Sequence, residues 1–71
     1  MTGQIRKIQK MSNSIMGNPC FRLWILTDEG MLIVRTKTNI SDAYAITGGW
    51  VGKDAEFEQT KSGTINKINL I

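Results

Sequence analysis

Two apolar runs, CFRLWILT (20–27) and MLIVRTK (31–37), stand on either side of Asp28, Glu29 and Gly30. Both are short, rich in β-branched and aromatic residues and bounded by turn formers, which predicts a β-hairpin and disfavours helix. A two-residue type I′ turn forces Glu29 to positive φ, whereas a type I turn followed by a left-handed glycine asks that only of Gly30. The second is the expected form, with Trp24 opposite Val34 and Leu23 opposite Arg35; the first sets Trp24 against Arg35. Phe21, Leu23 and Ile25 point one way along this hairpin, while Trp24 and Leu26 point the other. One apolar face fills a core, and the other needs cover from a loop, a second copy or a partner.

Three further runs read as strands: QIRKIQKM (4–11), KDAEFEQT (53–60) and TINKINLI (64–71). A two-residue Ser62-Gly63 turn joins the last two and sets Phe57 against Ile68, Ala55 against Leu70, and Glu58 against Lys67. SNSIMGNP is a loop by composition, and Pro19 biases Asn18 toward an extended backbone. In TNISDAYAITGGWVG, Asn39 or Ser41 is placed to cap one helical turn through DAYAI, which Gly48 and Gly49 then stop. Three strands, a short helical turn and two strands is the element order of an OB-like barrel, in which the turn plugs one end. The fold class is therefore all-β, a five-stranded OB-like barrel over residues 1–71, with an SH3-like barrel as the alternative.

A chain of 71 residues has room for one core and buries about 60% of the surface its unfolded form exposes. Such a domain gains from a disulfide, a metal or self-association. Cys20 is the sole cysteine and histidine is absent, so an internal disulfide is excluded, and the commonest zinc ligand and general base are missing. Self-association remains, and a homo-oligomer is expected. No run approaches the roughly 20 apolar residues that span a bilayer, so the expected location is cytoplasmic, with no membrane partner. Up to Lys37, six basic residues face two acidic ones, a balance of +4; beyond it three face four, a balance of −1. The asymmetry suits an anionic partner.

Arg22, Trp24, Arg35 and Lys37 are the first candidates for a binding site. Guanidinium groups grip phosphate in a bidentate way and an exposed indole stacks on a base, a combination that OB barrels carry along their second and third strands. The plainer reading makes Trp24 core, with basic side chains snorkelling at its edge. Trp50, between glycines, either closes over a ligand or caps the barrel mouth. Tyr44 is a second aromatic candidate whose plainer role is to plug the barrel. GGWVGKD lacks the spacing of a phosphate loop. Asp54, Glu56 and Glu58, at every second position, read as the solvated side of an edge strand and not as a metal site. Cys20 has no histidine partner and reads as a small packed residue. No catalytic residue, metal or cofactor is expected, and the chain reads as a non-enzymatic binding protein.

The frame GNPCFRLWILTDEG, followed by RTKTNISDAYAI and GTINKI, resembles short proteins carried by bacteriophages and prophages. The resemblance implies a compact β-rich accessory protein made in a bacterial host cell, acting on host machinery or on products of host defence. It also implies Arg35 and Thr36, with Asp42 and Tyr44, as shared contacts. Two functions are thus expected: recognition of single-stranded nucleic acid or a phosphorylated nucleotide, or docking onto a host or defence protein.

Overall fold

The computed structural model describes residues 1–71. Five strands form, β1 (Thr2–Lys10), β2 (Phe21–Thr27), β3 (Gly30–Arg35), β4 (Asp54–Gln59) and β5 (Ile65–Leu70), with 3-10 turns at Ser41–Ala45 and Gly48–Trp50 between β3 and β4. They make one antiparallel sheet in the order β3-β2-β1-β4-β5. The all-β reading holds, and the 3-10 turns occupy the place that the OB-like order gives its helical turn. The outer strands meet at a single parallel bridge, Thr36 with Ile65, where the Lys37 amide donates to the Ile65 carbonyl at 2.8 Å. No helix is long and apolar enough to cross a membrane.

The sheet curls because β1 serves two neighbours. Its start, Thr2–Gln4, pairs with β4, and Gln4–Lys10 pairs with β2 through an irregularity between Ile5 and Lys7. A bulge of this kind bends a strand and increases its twist. Gly3 sits at the crowded end of that bend, where an added Cβ would lie 2.6 Å from Ile25 Cγ2 and 2.7 Å from the Leu26 carbonyl oxygen. Backbone cannot swing aside as a side-chain tip does, so Gly3→Ala is expected to cost about 1–3 kcal/mol through overpacking. A urea melt checks this; an unchanged midpoint would mean that β1 can draw away from β2 at no cost.

Ile5, Leu23, Ile25, Phe57, Ile65 and Ile68 are the largest fully buried side chains, and Val34, Ile46, Ala55 and Trp50 complete the cluster. Asp42 pins the Ser41–Ala45 turn to β5, its Oδ2 accepting from the Ile68 amide at 2.9 Å. Neither Asn39 nor Ser41 caps that turn: Ile40 is the capping residue and no side-chain bond is made there. Asn39 instead adopts φ 64°, a left-handed backbone that asparagine tolerates better than most residues. Its Oδ1 accepts from Ser14 Oγ at 2.8 Å and Asn18 Nδ2 at 2.7 Å.

The β2–β3 register differs from both expected forms. Thr27 pairs with Gly30 across a two-residue turn, Trp24 lies opposite Ile33, Leu23 opposite Val34, and Arg22 opposite Arg35. Neither Asp28 nor Glu29 takes positive φ, while Gly30 sits at 112°. Thr27 supplies the reason, because its hydroxyl donates to the Gly30 carbonyl at 2.9 Å and accepts from the Glu29 amide at 3.2 Å, closing the turn one residue early. In the other hairpin, Phe57 with Ile68, Ala55 with Leu70 and Glu58 with Lys67 form as expected. The connection is nonetheless wider than a Ser62-Gly63 turn, since Thr60 bonds to Thr64 and an irregularity after Glu58 absorbs the extra residue.

Candidate functional site

The observed register gathers three of the candidates on one face. Cross-strand partners project to the same side of a sheet, so Arg22 and Arg35 form one row, Trp24 and Ile33 the next, and Leu26 and Met31 the third. Lys7 and Gln9 of β1 extend the first two rows. Leu23, Ile25 and Val34 face inward and are buried, which leaves Trp24 half-buried on the outside. Its indole carries the Lys7 ammonium 4.7 Å from the ring centroid, a cation–π contact worth about 0.5–1 kcal/mol at an exposed site.

The charge on this face has no counterion. The chain's one ion pair joins Lys67 Nζ to Glu58 Oε2 at 4.0 Å, so Lys7, Arg22, Arg35 and Lys37 all lack a carboxylate at that range. Arg22 reaches only Gln9 Oε1, at 3.4 Å. Asp54, Glu56 and Glu58 are exposed on β4, two strands from β2. At strand spacings of about 4.8 Å that is roughly 10 Å away, beyond the Debye length of about 8 Å at physiological salt. Like charges placed directly opposite one another destabilise a sheet, and Arg22 with Arg35 is such a pair.

Past the end of β3, Arg35 and Lys37 border an open groove of about 570 Å³ whose other wall is the β4–β5 turn, with Lys61 and Ser62. Sequence reading missed Lys61 and Ser62, because only the bridge between Thr36 and Ile65 carries that turn to the end of β3.

Two candidates leave the site. Trp50 is 9% exposed and packs in the core cluster, so it is no lid over a ligand. Its segment docks on β1, with the Gly52 amide donating to the Ile5 carbonyl at 2.7 Å and the Ile5 amide to the Lys53 carbonyl at 2.9 Å. Thr36 is 4% exposed, and its Oγ1 accepts from the Phe21 amide at 3.0 Å; it ties β3 to β2 and to β5, and that hydroxyl is already engaged. Asp42, which the resemblance implied as a contact, is likewise engaged in holding β5.

Tyr44 is exposed and does not plug the core; Ala43 and Ile46 turn inward beside it. Its hydroxyl donates to Asn18 Oδ1, and Asn18 also bonds to Asn39, so the loop from Ser12 to Pro19 is tethered to the segment after β3. Cys20 is buried, and no group of three His, Cys, Asp or Glu residues stands together as a metal site. Comparison with protein-family models, curated proteins and solved structures found no match.

Proposed function

We propose that the protein binds single-stranded nucleic acid, or a nucleotide phosphate, on the outer face of β2 and β3. The observation that carries this reading is the uncompensated Arg22–Arg35 pair beside the half-exposed Trp24. Two arginines paired across strands without a carboxylate repel, and a phosphate gripped by both converts the repulsion into charge-assisted hydrogen bonds. A base next to that phosphate falls on the indole, where stacking is worth about 1–3 kcal/mol. No step of catalysis is assigned. The resemblance to phage-borne proteins supports a ligand met in a bacterial host cell.

A short oligodeoxythymidylate titrated against tryptophan fluorescence tests the reading, since buried Trp50 leaves Trp24 as the residue a ligand can reach. Quenching is expected, with log K falling against log salt at a slope of about −2 for three phosphate contacts. If neither the oligonucleotide nor a panel of nucleotides changes the fluorescence or the melting temperature, the proposal fails.

A second reading draws on the same face. Leu26, Met31 and Ile33 are 39%, 49% and 59% exposed in adjoining positions, an apolar stripe suited to a second copy of the chain or to a host protein. Light scattering separates the two readings: a monomer that quenches with oligonucleotide supports the first, and a stable oligomer that hides Trp24 from quenchers supports the second.

A further inference from the structure

We infer that the groove between the end of β3 and the β4–β5 turn is a phosphate site, and that a bound strand leaves Trp24 by crossing β3 there. The inference rests on the nucleic-acid reading and adds to it a second wall and a path. Every residue lining the groove is polar or basic, and none is acidic. Arg35, Lys37 and Lys61 converge on it, each without an ion-pair partner. Solubilising lysines are ordinarily interspersed with acids; three cations around one groove with no acid among them fit an anion.

The turn adds neutral donors. Thr60 Oγ1 lies 2.9 Å from Ser62 Oγ and 2.8 Å from Thr64 Oγ1, so three hydroxyls meet in one cluster. Each has one rotatable proton and two acceptor lone pairs; the two contacts within the cluster use two protons, and the third can turn toward an anion without moving a heavy atom. The amides of Lys61 and Ser62 donate to no protein acceptor.

One backbone bond joins the two walls, and the others close the turn itself. The Lys37 amide bonds to the Ile65 carbonyl at 2.8 Å, the Thr60 amide to the Thr64 carbonyl at 2.8 Å, and the Gly63 amide to the Thr60 carbonyl at 2.9 Å. Gln59 Nε2 adds a bond to the Gly63 carbonyl at 2.8 Å. Backbone pairing therefore fixes the turn and its join to the end of β3, and the ordering left to a ligand is that of the exposed Arg35, Lys37 and Lys61 side chains. Arg35 belongs both to this groove and to the Trp24 face, which makes the two continuous.

The test compares Lys61→Gln with Lys53→Gln, an equal loss of charge at an exposed position outside the groove. Oligodeoxythymidylate affinity is measured across a salt series, and inorganic phosphate alone is titrated while backbone amides are followed by NMR. The expected result is a slope shallower by about 0.7 in Lys61→Gln and unchanged in Lys53→Gln, with phosphate moving the amides of residues 36–38 and 60–64. Oligonucleotide binding with the wild-type slope in Lys61→Gln overturns the groove as part of the path while leaving the Trp24 reading intact. If the oligonucleotide fails to bind at all, the Trp24 reading falls; the phosphate titration then decides the groove, which is overturned if those amides stay still.

Discussion

Trp50→Ala is expected to destabilise the chain by about 3–5 kcal/mol. The indole packs in a core cluster of 10 buried residues, and truncating a buried tryptophan to alanine costs about 3–5 kcal/mol in lost transfer energy and cavity. At about 0.05–0.15 kcal/mol per residue, a domain of 71 residues has roughly 3.5–11 kcal/mol to lose, so the substitution removes a large share of it. The segment it anchors also supplies the Gly52 and Lys53 bonds to Ile5, so the join between β1 and β4 loosens with it. Trp24→Ala is the paired measurement: half-exposed on the sheet surface, it is expected to cost about 1–2 kcal/mol, the sum of a cross-strand pair and an exposed cation–π contact. Circular dichroism with urea distinguishes the two. A Trp50→Ala midpoint within the error of wild type would contradict its place in the core and revive its reading as a mobile lid.

The positions of the strands were legible because β-branched and aromatic runs broken by Gly, Asn and Ser have few other uses. Register was legible only where one face alone is apolar. Phe57 and Ile68 must both go inward while Glu58 and Lys67 stay out, and a slip by one residue would bury charge. Along β2 and β3 both faces are apolar, so pattern left the register open and the Thr27 hydroxyl chose it. Trp50 was ambiguous for a related reason: flanking glycines suggest mobility, and the bonds that hold its segment come from Ile5, far away in sequence. Thr36 reads as a polar residue at the end of a strand, and only the contact with Ile65 shows why it is buried. Lys61 carried no local signal, since its partners in the groove lie on a strand more than twenty residues earlier. The composition of the candidate face was readable; its continuation required the curl of the sheet.

The double variant Arg22→Gln/Arg35→Gln is expected to melt higher than wild type and to bind oligonucleotide far more weakly. Both effects follow from one cause. In the free protein Arg22 and Arg35 are cross-strand partners with no acid within ion-pair range, and relieving a like-charge cross-strand pair returns about 0.2–1 kcal/mol. In the proposed complex the same groups hold phosphate, and hydrogen bonds to charged groups are worth about 1.5–3 kcal/mol each, so losing two predicts a fall in affinity of roughly 100-fold or more. The salt slope should flatten by about 1.4 as two counterion-releasing contacts disappear. Glutamine keeps the length and much of the aliphatic packing, which separates charge from bulk. A purely structural role for these arginines predicts the opposite sign in the melt, because removing their packing or the Arg22–Gln9 bond would lower the midpoint. Greater stability with undiminished binding would place the ligand elsewhere; lower stability would make the pair part of the scaffold.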